Sequence, residues 1–134
     1  DRARRLVTTR SFGVMTDGDV NEIRDSFAAD PAFDPTYAQL SDLRDLTDAD
    51  LSVAMMDRIA QTSVFRPSTR RAYVAHTPFQ FGIARMFAGM SDVHGQRVYV
   101  FRTMTEAERW IAGAEADTGS DAESDADPDP TGIA

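Results

Sequence analysis

An acidic segment in the middle of the chain is the first candidate for chemistry. Residues 42–52 read DLRDLTDADLS and carry four carboxylates, those of Asp42, Asp45, Asp48 and Asp50. Clustered carboxylates can ligate Ca²⁺ or share a proton in acid–base catalysis, and the terminal serine can serve as a phosphorylation switch. The segment lacks the glycine and the bidentate glutamate of an EF-hand loop, and no acid–base partner is identifiable. We therefore interpret it as a strand end followed by the polar start of a helix, where carboxylates complement the helix dipole.

The other reactive residue types form no recognised catalytic or metal-binding motif. His76 and His94 are the only histidines, their spacing does not place two ligands on one helix face, and the chain has no cysteine. Nucleophile-elbow, dinucleotide-binding and P-loop signatures are also missing. We therefore predict no catalytic residue, no metal site, no cofactor and no enzymatic activity. A Ser-His-Asp site assembled from distant segments stays open as the alternative.

The composition limits the partners and the location that we expect. The 134 residues carry a net charge of −8, which opposes binding to nucleic acid and to anionic membranes because both need clustered basic residues. No apolar run approaches the ~20 residues that span a bilayer, and no signal peptide is evident. We expect a cytoplasmic protein without membrane insertion. All 14 basic residues are arginine, which fits either salt adaptation or codon bias.

Strand and helix patterns alternate along the chain and predict an α/β fold. Strand-like runs occupy residues 6–15, 37–43, 71–76 and 97–101. An amphipathic helical pattern follows each run, and a capping motif is predicted before each helix, at Thr16, Thr47, Thr77 and Thr105. This alternation predicts a largely parallel sheet with helices packed against it. Since the sequence begins without Met, a missing upstream strand is a further expectation.

The chain divides into a body and a tail. Residues 1–113 have the length and composition of one α/β domain with a single core. Residues 114–134 are rich in Asp, Glu, Gly and Pro and poor in large apolar side chains, so they predict a disordered acidic tail. Solvation explains such a tail, and binding to a basic partner is the alternative.

Several segments of the body resemble one bacterial family. They are DLRDLT at 42–47 with DLS at 50–52, RAYVA at 71–75, FGIARMF at 81–87, and VFR at 100–102 with Glu106, Ala107 and Trp110. From about residue 6 to residue 112 the chain is similar to SpoIIAA-like, STAS/SEC14-type bacterial domains, which are distantly similar to anti-sigma-factor antagonists. The resemblance implies a mixed, mostly parallel sheet of four or five strands with about four helices.

The same resemblance bears on phosphorylation. In the antagonists, a partner kinase phosphorylates a serine in the segment that follows the central strand. Aligning the acidic segment with that motif puts Leu51 at the phosphorylated position, while Ser52 falls one residue late and Val53 stands where a glycine is expected. We therefore predict that the serine phospho-switch is not retained.

Two functions from different classes follow. The first is a non-enzymatic regulatory or protein-interaction module, in which loops at the carboxyl ends of the strands meet a protein partner. Its candidate surface comprises Arg44, Asp45, Asp50, Ser52, His76 and Arg102. The second is a carrier of a small apolar or acyl ligand, which the SEC14 part of the resemblance implies. Its candidate pocket, alternatively a homodimer contact, comprises Phe79, Phe81, Ile83 and Arg85.

Overall fold

The computed structural model describes residues 1–113, which form four strands and four helices in alternation. In chain order these are β1 (Leu6–Thr16), α1 (Asp17–Ala29), β2 (Ala38–Asp50), α2 (Val53–Gln61), β3 (Arg70–Val74), α3 (Pro78–Val93), β4 (Arg97–Phe101) and α4 (Met104–Ile111). The predicted α/β fold is confirmed. The predicted acidic tail, 114–134, lies outside the described residues. Among residues 1–113 no helix is long and apolar enough to cross a membrane.

The strands form one sheet in the order β1-β2-β3-β4, and every neighbouring pair is parallel. The family resemblance implied a mixed, mostly parallel sheet. The four described strands form parallel pairs throughout, with no antiparallel pair among them. Pairing of β1 with β2 continues as far as Thr16 opposite Asp50, whereas pairing of β2 with β3 stops at Asp42 opposite Val74. The second halves of β1 and β2 therefore extend past the end of β3.

Helices cover both faces of the sheet, which is the usual arrangement for parallel strands. On one face α4 packs on the strands, in a core formed by Leu6, Leu40, Ala72, Val74, Phe101, Ala107 and Trp110. On the other face α2 and α3 pack over β4, in a second core formed by Met56, Ala60, Phe87 and Val98. The helix α1 lies on this second side, beside α2 and above β1.

Two of the four predicted helix caps are confirmed. Thr16 and Thr77 each form a complete capping box, with Asp19 and Gln80 as the returning side chains. The cap predicted at Thr47 is wrong because β2 stays paired with β1 through this segment, and the helix that follows is capped by Ser52 instead.

The cap predicted at Thr105 is also wrong, because the N-cap is Thr103 and α4 begins at Met104, two residues before the start that a Thr105 cap implies. The Thr103 oxygen accepts a hydrogen bond from the backbone N–H of Glu106, and the Thr103 hydroxyl donates to the Glu106 carboxylate at 3.1 Å. Thr103 and Thr105 are both threonines near a helix start, so local sequence alone did not separate them.

The buried amide of Gln80 joins the start of α3 to β2. Its Oε1 accepts hydrogen bonds from the backbone N–H groups of His76 at 2.8 Å and Thr77 at 3.1 Å. Its Nε2 donates to the carbonyl oxygens of Arg44 and Leu46, both at 3.0 Å. These two carbonyls belong to the part of β2 that no longer has β3 beside it. The side chain therefore supplies the hydrogen bonds that a neighbouring strand would otherwise provide.

We expect Gln80→Glu to lower the free energy of unfolding by about 2–4 kcal/mol at neutral pH, because a buried carboxylate would face two carbonyl oxygens. Protonation gives the new carboxyl group one donor, so the deficit relative to wild type should shrink as the pH falls through its raised pKa. Urea unfolding at several pH values measures this. Gln61→Glu, at an exposed position of α2, is the matched control. Equal effects of the two substitutions would contradict the role of the amide.

Candidate ligand-binding cavity

Residues 42–50 of the acidic segment lie in β2, and two of its four carboxylates pair with arginines. Arg44 donates hydrogen bonds from Nε and Nη2 to the two carboxylate oxygens of Asp42, each at 2.8 Å. These hydrogen bonds hold the pKa of the Asp42 carboxyl below its usual range. Asp45 accepts two hydrogen bonds from Arg10, at 2.6 and 2.9 Å. Asp50 is exposed at the end of the strand. No group of three or more potential metal ligands occurs among residues 1–113.

Two other residues of the predicted interaction surface have structural roles at helix starts. The Ser52 oxygen accepts a hydrogen bond from the backbone of Met55, and its hydroxyl donates to Asp17 at 2.8 Å. His76 is exposed, and its backbone N–H donates to the amide of Gln80. Ser52 thus ties the start of α2 to the start of α1, a contact that the sequence pattern did not predict.

The predicted pocket residues divide between two places. The guanidinium groups of Arg102 and Arg85 lie over the Phe81 ring, at 4.3 and 5.7 Å from its centroid. Phe79 is exposed near the start of α3. Only Ile83 of the four contributes to an interior cavity, which lies on the opposite side of α3 from these rings. Arg102 is therefore brought together with Phe81 rather than with Arg44 or Asp45.

The cavity lies between the sheet and the helices α1, α2 and α3, and has a volume of about 120 Å³. Its walls are apolar and come mainly from the three helices and from the residue Leu51 just before α2. The wall residues are Val20, Ile23, Phe27, Leu51, Met56, Ile59, Ile83 and Phe87. Its floor is polar and comes from the first three strands, as Thr9, Ser11, Gln39, Ser41, Arg71 and Tyr73. An apolar space with a few convergent polar groups is the common form of a small-molecule site.

The polar floor follows from strand register. Thr9 pairs with Ser41, which pairs in turn with Tyr73, and Gln39 pairs with Arg71. Because side chains alternate between the two faces of a strand, this register brings all five onto the face below α1 and α2. The Thr9 hydroxyl donates to the Ser41 oxygen at 2.9 Å. Leu40 and Ala72 alternate with them and point to the core under α4.

Arg71 is the charged group of this floor, and only 4% of its surface is exposed. Its Nε donates to Gln39 Oε1 at 2.9 Å, and its Nη1 makes two long contacts of 3.4 Å, with Ser63 Oγ and Gln96 Oε1. Burial lowers the pKa of this arginine, and interaction with Tyr73 partly opposes that effect. No described carboxylate forms an ion pair with it.

Aromatic rings hold the guanidinium of Arg71 from the helix side. It lies 4.6 Å from the centroid of Phe65 and 5.7 Å from that of Phe87. The Phe65 ring also packs edge-on against Phe27 of α1, at 5.8 Å between centroids. Beside the guanidinium, burial raises the pKa of the Tyr73 hydroxyl, which therefore stays a neutral donor at physiological pH.

The helix α1 forms the roof of the cavity and has no buried residue. Its apolar residues Val20, Ile23 and Phe27 are half-buried and line the cavity, and the Phe27 ring also packs on those of Phe33 and Phe65. Polar contacts hold the start and the middle of the helix: Asp17 accepts from Ser52, and Arg24 donates to the Thr62 carbonyl at 2.9 and 3.1 Å. The roof is therefore attached at its start and its middle but has no fully buried side chain.

The important residues of this site, Gln39, Ser41, Arg71 and Tyr73, were not predicted. The sequence carries one signal for them, since polar residues occupy alternate positions of β1, β2 and β3. In a sheet with one face in contact with solvent, such alternation only marks the solvated face. It becomes informative once helices are known to cover both faces.

Comparisons of the chain with protein-family models, with curated proteins and with solved structures find no match. The resemblance to SpoIIAA-like domains therefore stays a prediction.

We expect the backbone amides of α1 to exchange with solvent deuterium about tenfold or more faster than those in the middle of α3, because α1 opens without exposing a packed core. Hydrogen exchange with mass spectrometry at several denaturant concentrations measures both rates. The buried face of α3, at Ala84 and Phe87, is the internal control. Exchange of α1 only through global unfolding would contradict a loosely packed roof.

Proposed function

We propose that the chain is a non-enzymatic binding module that holds a small, largely apolar molecule between its sheet and the helices α1, α2 and α3. The observation that carries this proposal is a partly open apolar cavity over a polar floor, between the sheet and three helices of a small domain. Protein interiors are close-packed, with few voids larger than a water molecule. A space of this size therefore needs an explanation.

Energetics support a functional explanation. A fully enclosed, empty cavity of about 120 Å³ would cost about 3 kcal/mol relative to a filled core, at ~24 cal/mol per Å³. This cavity is partly open, so it carries a fraction of that cost, out of the roughly 5–15 kcal/mol by which domains are stable. A cavity of similar volume, about 150 Å³, holds benzene in another protein. The expected ligand body is therefore about the size of one six-membered ring or a short acyl chain.

The roof provides a route of entry. The cavity-lining residues of α1 are only half-buried, so lifting this helix breaks fewer apolar contacts than lifting a fully packed helix would. The bonds from Ser52 to Asp17 and from Arg24 to Thr62 keep the start and the middle of the helix attached. Access through a loosely packed element lets a ligand enter without unfolding the sheet. The SEC14 part of the family resemblance supports the same class of function.

We expect hexanol, as a neutral apolar probe, to bind the wild-type protein and to bind about tenfold or more weakly to Ile59→Phe, which adds volume at the cavity wall. Titration calorimetry measures both affinities. Val93→Phe, at the exposed end of α3, is the matched control and should bind as wild type does. Native mass spectrometry of protein purified from cells tests for a natural ligand. Equal binding by the two variants would contradict the cavity as the site.

Protein docking is the second candidate function, and the edge strand β1 favours it. Phe12 and Val14 on this strand are 73% and 55% exposed. An edge strand also presents unpaired backbone N–H and C=O groups, which a further strand can pair with. The partner can be another protein or a second copy of this chain. A homodimer formed through β1 would differ from the one predicted from the sequence, whose contact comprised Phe79, Phe81, Ile83 and Arg85 of α3.

Self-association through β1 has a direct test. We expect Phe12→Ser to shift any dimer that wild type forms toward monomer, because it removes the largest exposed apolar side chain of the strand. Sedimentation equilibrium over a range of concentrations measures the assembly state. Val53→Ser, at an exposed position of α2, is the control and should leave the assembly unchanged. A dimer that persists in Phe12→Ser would contradict docking at this edge.

A further inference from the structure

The most unusual group in the interior is the positive charge of Arg71. We propose that the cavity selects a monocarboxylate, whose charged end meets the guanidinium of Arg71 while its apolar body lies under α1. This inference rests on the proposed binding function and adds the chemical class of the ligand. The charge of the site, its hydrogen-bonding groups and its size each support a monocarboxylate.

Among residues 1–113, no carboxylate forms an ion pair with Arg71. The partners of its guanidinium are neutral amide and hydroxyl oxygens and two aromatic rings. Burying a charge costs several kcal/mol unless it is paired. The chain carries a net charge of −8, yet no aspartate or glutamate of residues 1–113 lines the cavity. A ligand carboxylate would supply the missing negative charge.

The hydrogen-bonding groups near Arg71 also suit an acceptor. A guanidinium has five N–H donors; Nε and Nη1 of Arg71 contact Gln39, Ser63 and Gln96, and the Tyr73 hydroxyl also interacts with the guanidinium. Ser41 and Tyr73, beside it on the floor, carry hydroxyl groups that can donate. A carboxylate accepts at both oxygens and pairs with arginine in a planar, two-bond geometry. The groups around the charged end of the ligand can therefore donate hydrogen bonds, and a carboxylate only accepts them.

One buried cation and a small volume limit the ligand further. A doubly charged phosphate would bring one more negative charge than Arg71 can neutralise in an apolar site. The second arginine of the lining, Arg24, already donates to the Thr62 carbonyl at the rim. The volume of about 120 Å³ accommodates a short acyl or single-ring body. Short aliphatic and aromatic monocarboxylic acids fit all three conditions.

The test compares probes that share an apolar body and differ in charge. Titration calorimetry of the wild-type protein with hexanoate, hexanamide and hexanol needs no variant. We expect hexanoate to bind about ten- to a hundredfold more tightly than either neutral probe, as a hydrogen-bonded charge pair requires. Arg71→Met should reduce this preference to about onefold and retain hexanol binding. Arg97→Met, the same change at an exposed position of β4, is the matched control and should keep the preference.

Each outcome bears on one part of the proposal. Equal affinities of the three probes for wild type would overturn recognition of charge and leave cavity binding standing. A preference for hexanoate that survives in Arg71→Met would overturn the assignment to this residue. Failure of all three probes to bind would overturn the proposed function as well. If Arg71→Met does not fold, the comparison of the three probes on wild type still tests recognition of charge. Tyr73→Phe then provides the second test, because it removes one hydrogen-bond donor and should weaken the binding of hexanoate but not that of the neutral probes.

Discussion

The two carbonyl groups of Arg44 and Leu46 set the constraint on which the rest of the structure depends. They lie in the interior, on the part of β2 that extends past the end of β3, where no strand is present to satisfy them. The Gln80 amide takes that place and at the same time binds the backbone at the start of its own helix. The position of α3 is thereby tied to β2 by hydrogen bonds rather than by apolar packing alone. Unpaired, these carbonyls would cost about 1–3 kcal/mol each.

The placement of α3 determines the space beneath the other helices. With its N-terminus held against β2, Ile83, Ala84 and Phe87 face the sheet beside α2, and they close one wall of the cavity. On the other side α1 contributes apolar residues without burying any of them. The domain therefore has one well-packed half, over β3 and β4, and one half where the helices span a cavity. The same division separates stability from binding, because a site that admits a ligand cannot also be filled by side chains.

Prediction from the sequence succeeded where short-range signals and tertiary structure agree. The order of strands and helices, most of their limits and the capping boxes at Thr16 and Thr77 follow from periodicity and local hydrogen bonding, whereas β2, predicted to end at residue 43, extends to Asp50. The prediction failed at Thr47, because pairing with β1 keeps β2 extended through a segment whose local pattern favours a helix start. Long-range backbone pairing outweighs a capping preference of about 1 kcal/mol.

Sequence alone determined the class of fold, because hydrophobic period and helix caps are properties of neighbouring residues. The sequence also contains no recognised catalytic motif. It did not locate the candidate site. Arg71, Gln39 and Ser41 come from two strands that are distant in the chain, and their alternation has the same form whether the face is wet or dry. Only the tertiary structure decided that this face is covered, since burial depends on which helices pack above it. Because helices cover this face, Arg71 is a buried charge that faces a cavity and not one of a row of exposed polar residues.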